Sequence, residues 1–262
     1  MKIWKYLVAL AAVALCLCAC GDGGETNYTP STFPTGETEE TGETSATEQT
    51  PIHSAFYLEG YTAQQVITYF AEVVLDVEYS TGTGNVQLVQ KWTQPLRYVI
   101  FGEATQTDRE RLERLFARLN EIEGFPGIAP NGENELATFS LGFYDRTAFN
   151  RHFSSVVQGE EADGAVEYWY FNETNQIYDA RIGYRTDVDQ YTRNSVLLEE
   201  VINGLGITDT NLRPDSITYQ GFSQTQELSD MDWLILRLLY HPDIKCGMNL
   251  EQCKAVIEAL YY

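Results

Sequence analysis

The chain has 262 residues, 44% of them hydrophobic, with 38 acidic side chains against 17 basic ones and a formal charge of −21. A surface this acidic repels phosphates, which argues against nucleic acid and anionic lipid headgroups as partners. The three histidines, His53, His152 and His241, include no pair at helical metal-ligand spacing.

At the N-terminus, Lys2 and Lys5 precede twelve apolar residues, 6–17 (YLVALAAVALCL). A bilayer span needs about 20 apolar residues, so this run fits a secretory signal. It ends Leu17-Cys18-Ala19-Cys20-Gly21, which resembles the bacterial lipobox, whose cysteine thiol receives diacylglycerol and becomes the new N-terminus. The expectation is a signal peptide over 1–19 and an extracytoplasmic protein anchored to the bacterial cell membrane through a lipid on Cys20. The bland alternative is an ordinary signal peptide that contains cysteines. Residues 21–52 hold nine Thr, seven Asp or Glu and no Lys or Arg. So little apolar surface does not offset chain entropy, which predicts a disordered tether. Residues 53–262 carry −16 and are long enough for one domain with its own core.

Along that domain, Thr62 with Gln65 has capping-box spacing and opens a helix carrying Val66, Phe70 and Val73. The TGTGN segment at 81–85 lacks the following helix that a phosphate loop needs. Residues 97–101 (RYVIF) read as a buried strand. Thr107 with Glu110 starts a second helix, with Leu112, Leu115, Phe116, Leu119 and Ile122 on one stripe, and Gly124-Phe125-Pro126-Gly127 ends it. Residues 136–142 read as a strand and 145–154 as a short helix or loop. AVEYWYF (165–171) and IYDARIGYR (177–185) form a hairpin across NETNQ, and alternation in the second predicts a strand with one wet face. A helix with Val196, Leu198, Val201, Ile202 and Leu205 follows and ends near Gly206. Ser229 with Asp232 and Asn249 with Gln252 open the last two helices. Strands and helices mixed along one chain predict a single α/β (α+β) domain, a twisted mixed sheet with packed helices.

After processing and lipidation of Cys20, Cys246 and Cys253 are left as a possible pair. Cys246 falls in the loop before the last helix and Cys253 one turn inside it, so the two can meet. A disulfide is expected in an exported protein; the alternative is two buried free thiols.

The segment Glu199-Glu200-Val201-Ile202-Asn203-Gly204-Leu205-Gly206-Ile207-Thr208-Asp209 resembles the metzincin zinc signature H-E-x-x-H-x-x-G-x-x-H/D. In that signature two imidazoles four apart on one helical face bind Zn²⁺, and the glutamate between them polarises the attacking water. The resemblance puts Glu199, Asn203 and Asp209 at the ligand positions, Glu200 at the general base and Gly206 at the turn. Downstream, Ser216-Ile217-Thr218-Tyr219 is similar to the Met-turn, with Thr218 where methionine lies. The strand at 177–185 takes the place of the edge strand that borders the zincin cleft. Together with KWTQPLRYVIFG and LLYHPDIKCGM, the chain resembles a bacterial secreted family of unknown function whose members carry a similarly altered signature.

Two carboxylates and an amide oxygen make a hard donor set, unsuited to zinc and better matched to Ca²⁺ or Mg²⁺. The local alternative is a solvated helix face for Glu199 and Glu200 and an ordinary helix C-cap at Gly206. The reading that follows is a lipid-anchored, zincin-like domain without zinc and without hydrolysis, whose cleft binds a peptide or a cell-wall component. Its rivals are a metal-dependent hydrolase with Glu200 as base, and a purely structural envelope protein.

Overall fold

The computed structural model describes residues 54–76, 87–157, 162–221 and 225–262. The signal segment, Cys20, the tether, His53 and the TGTGN segment lie outside them.

Six strands form one sheet: β1 (Lys91–Trp92), β2 (Leu96–Gly102), β3 (Ile128–Pro130), β4 (Phe139–Tyr144), β5 (Gly164–Tyr170) and β6 (Gln176–Arg185). The order is β3-β2-β4-β6-β5, with β1 beside the first residues of β6. All pairings are parallel except the hairpin of β5 with β6. Ile182 pairs with Leu141 of β4 and with Val166 of β5, so β6 is an interior strand. This corrects the expectation that residues 177–185 form the sheet edge. Alternation reports a half-wet face, and Arg181 is indeed exposed, but it does not distinguish a central strand from an edge. The edges belong to β5 and β3.

The helices are α1 (Ala63–Leu75), α2 (Gln106–Leu119), α3 (Arg146–His152), α4 (Ser154–Val157), α5 (Gln190–Gly204), α6 (Asp230–Tyr240) and α7 (Leu250–Tyr261). One core joins α1, α2, α5, α6 and α7 to the sheet face of Phe139, Leu141, Phe143, Ala180, Ile182 and Tyr184. A small cluster of Phe149, Phe153, Val157 and Ala165 covers part of the opposite face. The chain is thus a mixed α/β domain with a mostly parallel sheet.

Capping boxes at Thr62, Ser229 and Asn249 open α1, α6 and α7 as their spacing requires. The second box is Thr105 with Asp108, two residues before the expected pair. Asp108 wins that position through tertiary contacts: it is fully buried and accepts from Gln190 and Arg193 of α5. The strand expected at 136–142 starts at Phe139, and the short strands β1 and β3 carry no sequence signal of their own.

Cys246 and Cys253 are both thiols in the structure, so the expected disulfide is not formed there. Cys246 Sγ lies 3.6 Å from the Lys91 carbonyl, and Cys253 is buried in the core. Burial pushes both thiols up, Cys253 to about 11.

Candidate functional site

Helix α5 starts where the Asp189 side chain accepts the Thr192 N–H at 3.0 Å, and it buries Leu197, Leu198, Val201 and Ile202. Its last carbonyls are used up by long side chains from elsewhere. Trp92 Nε1 donates to Gly204 O and Tyr240 OH to Leu205 O, both at 2.9 Å. Gly206 then turns with φ of +100°, and a Cβ there would stand 2.4 Å from the Gln90 carbonyl oxygen. Only glycine meets both conditions without strain.

The chain leaving that turn is sewn to α1. The Thr208 amide donates to Val73 O at 2.6 Å. The Glu72 carboxylate accepts from Thr210 Oγ1 at 2.7 Å and from the Asn211 amide at 2.9 Å. Asp209, between these anchors, is thereby carried back to α5, where Asn203 Nδ2 donates to Asp209 Oδ1 at 2.9 Å. The segments on either side of Gly206 therefore do converge.

Asn203 is only 4% exposed. Its Oδ1 is buried and has no hydrogen-bond partner, a condition that costs about 1–3 kcal/mol. Glu199, one helical turn before Asn203, and its neighbour Glu200 retain some accessible surface and have no hydrogen-bond partner among the described residues. Burial first, then the charge of Asp209, pushes the Glu200 carboxyl well above its ordinary range. Burial, then Asp209, Glu200 and Asp163, does the same to Glu199. Burial raises Asp209 to about 6 against the opposing hydrogen bond from Asn203. Asp209 thus acts on both glutamates and Glu200 on Glu199, and among the described residues the charges that act on the three acids include no basic side chain.

The edge strand begins on top of this group. A Cβ at Gly164 would come within 2.4 Å of Val196 Cγ1 and 2.8 Å of Glu200 Oε1. Glycine at the first position of β5 therefore lets the sheet edge lie directly against α5. Tyr184 of β6 lies on the core side and donates to Leu197 O at 3.1 Å.

Ser216, Ile217, Thr218 and Tyr219 sit against the same turn. The Thr210 amide donates to Thr218 O at 2.8 Å, and the Gln220 amide to Thr210 O at 2.9 Å. Ser216 Oγ donates to Asp232 Oδ1 at 2.7 Å, and Tyr69 OH donates to Ser216 Oγ at 2.9 Å. The Ile217 amide donates to the other oxygen of Asp232 at 3.2 Å. A buried hydroxyl–carboxylate network, rather than a thioether, thus supports the segment that carries Asp209.

The donor set around α5 does not fit zinc, since it holds neither imidazole nor thiolate. Among the described residues no three His, Cys, Asp or Glu side chains are grouped as a metal ion requires. His152 stacks on Tyr144, and His241 meets the Phe56 ring edge-on. Cys246 and Cys253 lie apart from the pocket, beside Lys91. Sequence reasoning missed Gly164, Glu72, Tyr69 and the second role of Asp232. Only Asp232 left a trace, its capping-box spacing from Ser229.

Comparison with curated proteins gives no match. The family described as "Protein of unknown function (DUF2927)" matches residues 63–259, a span that contains every element from α1 to α6 and nearly all of α7. The chain belongs to that family.

Proposed function

We propose that the protein is a lipid-anchored extracytoplasmic binding protein. Cys20 carries the anchor, residues 21–52 are the spacer, and the domain holds a peptide or cell-envelope ligand in a cleft along the outer edge of β5, beside α5. The zincin-like arrangement of α5, its glycine turn and Asp209 serves recognition rather than zinc hydrolysis. The observation that carries this reading is the edge position of β5, which among the described residues pairs only with β6 and starts at Gly164 against Glu200. An extended peptide adds to such an edge through backbone hydrogen bonds, while nearby pockets select its side chains.

The test is ligand-dependent stabilisation. Blocked strand-forming peptides and soluble cell-wall fragments are titrated while the unfolding temperature is followed. A shift in the parent that is absent in Gly164→Leu, whose side chain fills the junction with Glu200, supports the cleft. No shift with any of them would leave a structural envelope protein.

A second reading has one observation in its favour. Glu200 is an unpartnered carboxyl raised by its surroundings, as general acids and bases often are. Under that reading the protein is a hydrolase with Glu200 as base and non-standard ligands at Glu199, Asn203 and Asp209. Cleavage of the same peptides by purified parent, lost in Glu200→Gln, would establish it.

A further inference from the structure

We infer that the pocket of Glu199, Glu200, Asn203 and Asp209 selects an organic cation, a primary ammonium or guanidinium group presented by a ligand lying along β5. This rests on the binding-cleft reading above and adds what the cleft prefers.

Three independent features meet at this point. The first is charge. Glu199, Glu200 and Asp209 act on one another, and Asp163 adds to the field at Glu199. Asp163 is itself paired with Arg185 at 3.2 Å, and that arginine also binds Asp187 at 2.8 Å. Among the described residues Glu199, Glu200 and Asp209 have no such basic partner, which buried carboxylates ordinarily have.

The second feature is the orphaned amide oxygen. Asn203 spends its Nδ2 on Asp209, which leaves Oδ1 buried and without a donor. A group that satisfies Asn203 and neutralises the acids together has to bring several N–H donors and a positive charge. An ammonium brings three and a guanidinium five. A metal ion could also take up Oδ1 by coordination, but among the described residues no three His, Cys, Asp or Glu side chains are grouped as it requires.

The third feature is access. Glu199 and Glu200 keep accessible surface, and Glu200 lies where β5 begins, packed against Gly164. A peptide strand hydrogen-bonded to β5 projects alternate side chains to one face, and a Lys or Arg on the face toward α5 brings its flexible stem and charged tip to the acids.

The experiment uses purified mature protein in detergent and the blocked pentapeptides acetyl-Thr-Val-X-Val-Thr-amide, with X as Lys, Arg or norleucine. Binding is read from the side-chain amide resonance of Asn203, assigned by its loss in Asn203→Ala. The Lys or Arg peptide is expected to bind at least about tenfold more tightly than the norleucine peptide, as close charge pairing at an interface provides. That preference is expected to collapse in the double variant Glu200→Gln/Asp209→Asn, with circular dichroism showing it folded. Equal binding of all three peptides would overturn the inference and leave the cleft reading standing. Binding of none would overturn both. CaCl₂ and MgCl₂ form the remaining arm: saturable binding of either ion at the Asn203 resonance, with displacement of the peptide, would assign the site to a metal ion instead.

Discussion

Asp209→Asn removes one charge from the acid cluster while keeping the acceptor that Asn203 Nδ2 uses at 2.9 Å. Asp209 is raised from 3.8 to about 6 in the fold. The shift is roughly two pKa units at 1.36 kcal/mol each, so ionised Asp209 costs the native state about 3 kcal/mol at most. The sign follows from proton uptake. Below the unfolded value both states are protonated and the penalty is absent. Between the two values the folded state holds more protons, so stability falls as pH rises. Above about 6 the full penalty is present. The variant should therefore be more stable than the parent at pH 8, by about 2–3 kcal/mol, and nearly equal to it at pH 3.5. Urea unfolding at the two pH values, in buffer free of amines and divalent ions, measures the difference. Glu199, Glu200 and Asp163 titrate in both proteins, so comparing variant with parent isolates the change at position 209 together with its coupling to them. A variant no more stable than the parent at pH 8, or a gain as large at pH 3.5, would refute the argument that burial penalises ionised Asp209.

The double change Glu199→His and Asn203→His writes two imidazoles onto the α5 face that Asp209 already meets; dialysed variant should hold about one zinc per chain and dialysed parent essentially none, and a folded but zinc-free variant would break the reading of convergence. Gly164→Leu places a Cβ 2.4 Å from Val196 Cγ1 and should lower stability by about 1–3 kcal/mol, seen as a lower urea midpoint at unchanged slope; an unchanged midpoint would show that β5 does not press on α5. Differential alkylation with peptide mapping should find Cys246 and Cys253 slow to react in native protein and fully reactive after denaturation, and blockage of both until reduction would show that they are joined. Cys20→Ser should leave an uncleaved precursor or release the protein from membranes, since the anchor depends on the acyl chains that cysteine carries; a processed serine variant still bound to membranes contradicts the lipid anchor.

How much of this was legible in the sequence differs with the kind of signal. Capping boxes are local: the Thr62, Ser229 and Asn249 side chains each reach an amide three residues away, and spacing suffices to find them. The failure at Thr107 is tertiary in origin, because Asp108 is chosen by Arg193 and Gln190, more than eighty residues distant. Strand edges are also nonlocal. Residues 177–185 alternate like a half-wet edge strand, yet they run through the interior of the sheet because β4 and β5 occupy both sides. The meeting of Asn203 with Asp209 was legible because it depends on three nearby features: an i, i+4 helix face, a glycine at positive φ, and an acid three residues beyond. The supports of that meeting were not. Glu72, Tyr69 and Trp92 read as unremarkable helix and strand residues, and only the fold brings them to the turn.

What the ligand positions do chemically follows from charge balance. In the zinc signature that this segment resembles, two neutral imidazoles hold a dication, which offsets one catalytic carboxylate and one ligand carboxylate. Here an amide and a third carboxylate replace the imidazoles, so full ionisation would leave three negative charges together. Water screens such a set poorly when it is enclosed, and no basic side chain is among the charges acting on it. The pocket then has two ways toward neutrality, taking up protons or taking up a cation. Protonation is available to an isolated chain and produces the pH dependence expected of Asp209→Asn. A cation competes with those protons, so a ligand bearing one should bind more tightly as pH rises through the range in which the pocket ionises. A neutral ligand should not. An affinity that rises with pH for a lysine peptide and stays flat for its norleucine counterpart would tie the crowding of the acids to recognition; flat profiles for both would separate the two.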